Sequence, residues 1–148
     1  MNSFIWYFIA LMVGCATATQ AGVNSQLRQT VVNPILSALI SFCTGTLALT
    51  ILFFLFNNKT PDYQTISKIS WWKWTGGLLG AYIVTSTILS VPKIGSANMV
   101  ALVVTGQILL AMIFDHFGWL GFPLHQVSLM RLLGAVLLIA GVILIVKY

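Results

Sequence analysis

Few residues in this chain of 148 are equipped for chemistry. The acids are Asp62 and Asp115, the histidines His116 and His125, and the thiols Cys15 and Cys43. General acid–base work on a substrate wants paired acids or a base held against a nucleophile. Asp62 and Asp115 are far apart in the chain and make no such pair. A nucleophile elbow, a zinc-protease helix and a phosphate loop are all missing. Neither His116 nor His125 has a cysteine or carboxylate partner at metal-ligand spacing, so no metal and no cofactor is expected. The residues therefore describe a protein that is not an enzyme.

Uncharged polar groups carry more information. Thr17, Gln20 and Asn24 follow one another at helical spacing and share a face. Asn98 and Thr105 share another, and Gln107, nine residues beyond Asn98, falls on the opposite side at about 100° per residue. All lie in apolar surroundings, where a polar group is costly and faces a partner or a cavity. As hydrogen-bonded glue between helices each would contribute only about 0.6 kcal/mol. Gln20, Asn24 and Gln107 fit structural glue and substrate contact equally. Asn98 follows the Pro92–Gly95 break and fits a substrate contact or a backbone cap. Asp115 stands at the end of an apolar segment, where a carboxylate opposes the helix dipole at roughly 0.3–1 kcal/mol. Arg131 is the nearest compensating charge, with His116 beside the acid. A structural ion pair is the favoured reading and proton coupling the alternative.

The elements that must position these groups follow from composition. Hydrophobic residues make up 59% and charged ones 6%, against roughly 45–50% and about 25% in a soluble domain. Mean hydropathy is +0.99. A soluble enzyme, a nucleic-acid binder and a disordered chain are excluded. The net charge of +5 does not suggest nucleic acid, because the basic residues are scattered and form no run. The nine charges, Arg28, Lys59, Asp62, Lys68, Lys73, Lys93, Asp115, Arg131 and Lys147, bracket long uncharged stretches. A spanning helix needs roughly 20 mostly apolar residues. Five spans are expected, at about 4–22, 34–56, 74–91, 94–114 and 129–146, in one all-α integral-membrane domain. Residues 57–70 form a polar loop, Trp71, Trp72 and Trp74 an interfacial belt, and 115–128 an interfacial loop. β-barrel spans are excluded, since they would alternate in polarity. No Lys or Arg precedes the first apolar stretch, so it is taken as a span and not a discarded leader. Cys15 and Cys43 fall inside spans, and no structural disulfide is expected.

Five spans place the termini on opposite sides of the membrane. Lys59, Lys68, Lys73 and Arg131 share the N-terminal side, and Arg28, Lys93 and Lys147 the other. Four against three biases the N-terminus weakly toward the cytoplasm. One orientation set by the three-lysine loop is the simpler reading; insertion both ways, with head-to-tail pairing, is the other. Small residues recur at helical spacing: Gly14, Ala18 and Gly22; Ser37, Ser41 and Gly45; Gly76 and Gly80; Gly134 and Gly141. Such rows let helices approach closely in lipid, and packing within a compact bundle is the expectation.

The chain resembles the YdcZ-like family of short proteins in the drug/metabolite transporter superfamily. The resemblance covers nearly the whole chain. It rests on Gly14 through Gln20 to Asn24, Gly76-Gly77-Leu78-Leu79-Gly80-Ala81, Pro92-Lys93-Ile94-Gly95, Gly106-Gln107, Asp115-His116-Phe117-Gly118, and Arg131 with Gly134 and Gly141. It implies a five-helix unit equal to half of a ten-helix inverted-repeat transporter, in the bacterial inner membrane. It also implies a homodimer, possibly antiparallel, or a pairing with a homologous subunit. Four-helix multidrug members of the superfamily exchange protons through an acid in their first helix. Here that helix carries Gln20 and Asn24 and no carboxylate, which favours a neutral or zwitterionic solute over a lipophilic cation. The expected activity is transport of a small polar or zwitterionic metabolite by alternating access, from a site near the midplane lined by Gln20, Asn24, Asn98 and Gln107. The competing reading is a non-transporting scaffold or partner subunit.

Overall fold

Between its prolines and a few glycines the chain holds little that interrupts a helix, and the computed structural model, which describes residues 3–56 and 60–148, is built of helices. They are α1 (Ser3–Val31), α2 (Pro34–Phe56), the short α3 (Tyr63–Ser67), α4 (Thr75–Ile94), α5 (Ser96–Phe117) and α6 (Leu129–Lys147). Single 3-10 turns at Trp71–Trp74 and Trp119–Gly121 precede α4 and follow α5. No strand occurs among the described residues. Five helices are long and apolar enough to cross a membrane: α1, α2, α4 with its Trp turn, α5 and α6. The protein is an all-α membrane protein. Asn57 and Lys59, part of the expected polar loop, lie outside the described residues.

Three helices run past their expected ends: α1, α4 and α5, the last taking Asp115, His116 and Phe117 out of the expected loop before Gly118 ends it. α1 continues beyond Gly22 to Val31, because nothing between that glycine and Pro34 breaks the backbone ladder. It stops at Val32, whose φ is 58°. The Asn33 side chain then accepts from the N–H groups of Ile35 and Leu36, capping α2 at 2.9 and 3.1 Å. Pro34 occupies the first turn, where its missing N–H costs nothing. α4 carries Pro92 inside its last turn and ends only at Ile94. The break falls at Gly95, whose φ of 83° suits a residue without a Cβ.

In the membrane-flanking loop, Asp62 caps α3 by accepting from the Thr65 N–H at 3.0 Å. Hydrogen bonding from Thr65, side chain first and backbone second, holds the Asp62 carboxyl below its ordinary value. Lys73 lies 5.7 Å over the Trp72 ring, an aromatic–cation arrangement suited to the headgroup level.

Packing divides the chain into two units, Met1–Lys93 and Ile94–Tyr148. In the first, α1 packs on α2. Ala21, Asn24 and Ser25 of α1 and Ser37 and Ala38 of α2 are buried, and the Ser37 hydroxyl donates to the Asn24 carbonyl at 2.9 Å. In the second, α6 packs on α5 and buries Ala135 and Val142.

The glycine rows do not make these contacts. A Cβ on Gly14, Gly22, Gly45, Gly76, Gly134 or Gly141 would meet nothing within 4 Å, and only Gly80 of the row members touches a neighbour, Phe42 at 3.4 Å. Of the small-residue rows, Ser37 is buried and bonds across to α1, while the row glycines other than Gly80 meet nothing within their own unit. Closely approaching faces carry Ala and Ser, one turn or one residue away from the glycines. On α6 the difference is a single position, Ala135 and Val142 in place of Gly134 and Gly141.

Candidate functional site

In the first unit the polar residues singled out on α1 gather around one groove. A cavity of about 610 Å³ opens between α1 and α2, lined by Gln20 and Asn24 with Cys15, Thr19, Ser41 and Thr44 and by apolar neighbours. Gln20 is exposed along it. Asn24 is 5% exposed. Its carbonyl is occupied by Ser37, while its carboxamide has no hydrogen-bond partner among the described residues and borders the groove. The carboxamide reaches the open groove, where water or a solute can complete it. Thr17 belongs to a different environment: its hydroxyl donates back to the Val13 carbonyl at 2.8 Å, a bond that spends its donor within the helix.

In the second unit the functional groups collect at the C-terminal end of α5. Arg131 Nη1 donates to Asp115 Oδ2 at 3.3 Å and to the His125 carbonyl at 3.2 Å. The two side chains are 39% and 31% exposed, so solvent screens the pair and its Coulomb term is small. Around it the loop folds back on the helix. The His125 N–H donates to the Asp115 carbonyl at 2.8 Å, and the Val127 N–H donates to His116 Nδ1 at 3.2 Å. Accepting at Nδ1 puts the proton of a neutral His116 ring on Nε2. Gly118 ends α5 with a φ of 64°, and Ser128 caps α6 by accepting from the Arg131 N–H at 3.3 Å.

Gln107 lines a cavity of about 340 Å³ together with Asp115, Phe114, Leu120 and Phe122. Phe114 stacks on Phe122 with ring centroids 6.2 Å apart, fixing the wall of that cavity. Asn98 sits half-buried in the first turn of α5 and lines neither cavity. It does not cap the helix: Gly95 is the cap residue, and no side chain bonds there. Thr105, on the face shared with Asn98, returns its hydroxyl to the Ala101 carbonyl at 2.8 Å. Thus Gln20 and Asn24 are brought together in one unit, Gln107 joins Asp115 in the other, and Asn98 stands apart from Gln107 as their spacing requires.

One participant escapes a reading of charges alone. Arg28 sits half-buried in the last turn of α1 and donates through Nη1 to the Ile88 carbonyl at 3.3 Å. Pro92, four residues after Ile88, has no N–H for that carbonyl. The only sequence signal was the proline, and it does not reveal which side chain answers it.

Residues 5–144 match the model of the family described as "Putative inner membrane exporter, YdcZ". The chain is 22% identical over 147 residues to the inner membrane protein YdcZ of Escherichia coli (strain K12), covering 99% of this chain and 98% of that protein. No solved structure matches it.

Proposed function

The chain belongs to the YdcZ family of inner-membrane exporters, and from that membership we propose that it moves a small polar or zwitterionic metabolite by alternating access, as a dimer. It is a multi-pass protein of the bacterial inner membrane with a transporter role. Its family is one of exporters and not of enzymes. The observation that carries the finer reading is Asn24, a residue 5% exposed whose carboxamide has no partner among the described residues and borders a groove wide enough for a small solute. Gln20 lines the same groove and supplies a second amide. An amide pair donates and accepts without fixing a charge, which suits a neutral or zwitterionic ligand. In the second unit Gln107 and Asn98 are the proposed substrate contacts, and the Asp115–Arg131 pair with His116 holds the loop that borders Gln107.

Glycine faces with open space beside them on α1, α2 and α6 support pairing with a second copy, since small residues are the contact type that lipid-embedded helices use. The partner in this reading is a second chain, antiparallel to the first or a homologous subunit.

The test is transport of labelled amino acids in proteoliposomes by the wild type, Asn24→Leu and Gln107→Leu, with folding checked by size exclusion and thermal melting. Each variant is expected to stay folded and to transport about tenfold more slowly or worse, the loss of one good polar contact. Unchanged rates in both folded variants would remove these residues from the site. An absence of transport by any solute in the panel, with the groove dry, would favour the scaffold reading.

A further inference from the structure

We propose that Arg28, Ser25 and Gln29 form a binding site for an oxyanion, a carboxylate or a phosphate, in the cavity beside the Pro92 break of α4. Five residues line a cavity of about 250 Å³: Ser25, Arg28, Gln29, Val32 and Pro92. The argument begins with charge. The sequence holds only two acids. Asp115 is held by Arg131 at 3.3 Å, and Asp62 caps α3 through Thr65. Among the described residues Arg28 makes no salt bridge, and both aspartates are engaged elsewhere. A half-buried guanidinium in apolar surroundings without a counter-ion is unfavourable, so the compensating charge comes from outside the chain.

Geometry supports the same conclusion. Nη1 is anchored on the Ile88 carbonyl, the acceptor that Pro92 leaves without its helical donor. Ile88 is fully buried, so that anchor is shielded from water. The anchor holds the guanidinium plane in place and leaves its other N–H groups for a ligand, the arrangement in which arginine binds carboxylate or phosphate most strongly. Ser25 is 8% exposed, and its hydroxyl has no hydrogen-bond partner among the described residues. Ser25 lines this cavity together with Gln29. The residues lining it carry a charged fork, a hydroxyl and a carboxamide, with donors in excess of acceptors. The inference stands on Arg28 and its cavity and does not depend on transport.

The anion has two sources, a free solute or the headgroup of a lipid, and the experiment separates them. The full chain is purified in nonionic detergent and melted, with Trp fluorescence as readout, while acetate and inorganic phosphate are titrated at constant chloride. A second arm compares nanodiscs of phosphatidylcholine with nanodiscs containing phosphatidylglycerol. The expected result is saturable stabilisation in at least one arm, with the half-saturating anion concentration raised about tenfold or more by Arg28→Gln and less by Ser25→Ala. A response to the free anions identifies a solute; a response confined to anionic nanodiscs identifies a headgroup. Because Arg28→Gln also strips the Ile88 carbonyl of its donor, the same titrations are run on Pro92→Ala and on Arg28→Gln/Pro92→Ala, where residue 92 regains an N–H for that carbonyl. If Arg28→Gln fails to fold, the Pro92→Ala pair carries the comparison. Equal responses with and without Arg28 in that background, or no response in either arm, would overturn the proposal.

Discussion

Arg131 shows what a single side chain does for this molecule. Its guanidinium reaches the Asp115 carboxylate and the His125 carbonyl together, joining the end of α5 to the loop that leads into α6. Both charges are more than a quarter exposed, so the ion pair is worth at most about 1 kcal/mol after screening. Its importance is positional. We predict that Arg131→Gln lowers global stability by about 1 kcal/mol or less, yet speeds amide exchange at His125 and Val127 by roughly fivefold. His116→Phe should loosen Val127, whose N–H loses its acceptor, and leave His125 protected by the Asp115 carbonyl. Hydrogen exchange followed by mass spectrometry resolves the two sites; uniform protection in Arg131→Gln would show that the loop holds without the arginine. The candidate pair was legible in the sequence because Asp115 and Arg131 flank one loop. The role of His116 as an acceptor for a backbone N–H eleven residues on was not, since the turn at Gly118, Leu120 and Gly121 decides which amide reaches the ring.

At the scale of elements, helix positions were readable and helix faces only in part. Hydropathy and the absence of breakers place all five spans and Pro34 marks one start, while the caps supplied by Asn33 and Ser128 emerge only from the structure. The contact faces were only partly legible: Ser37 of the small-residue rows meets α1, but in lipid apolar residues point outward as readily as inward and spacing alone cannot say which row meets a neighbour. The packed face of α1 on α2 carries Ala21, Ser25, Ser37 and Ala38. Ala38→Leu at this buried position should destabilise the first unit by about 1–3 kcal/mol through overpacking. Gly45→Ala on the same helix has open space around it within the chain, so in the monomer it should cost nothing and gain up to about 1 kcal/mol of helix propensity, any loss being confined to pairing with a second copy. Thermal melts of the two variants in detergent decide the matter; an equal loss in both would mean that the glycine face is packed after all. The lengths also carry meaning. α1 extends well past Asn24, and its last turns hold Arg28 and Gln29, which places polar chemistry at the end of the helix and not only at its middle.

For the whole molecule the question is how a five-span chain becomes a two-sided device. Five spans would put the termini on opposite faces and divide the basic residues four against three between the sides. We predict that the C-terminus, fused separately to a cytoplasmic and a periplasmic reporter, gives signal with both. Signal on one face only would exclude antiparallel pairing and leave a single-orientation dimer. Composition by itself determined that the protein lives in the bilayer and that five stretches are long and apolar enough to cross it. These are sums over local stretches, and the solvent reads them stretch by stretch. Tertiary structure decided what no stretch contains. It showed that α1 and α2 meet through alanine and serine, that Asn24 is buried against an open groove, and that Arg28 answers the carbonyl of a residue 60 positions away. A proline announces a free carbonyl, but only the packing of one helix on another determines which donor arrives.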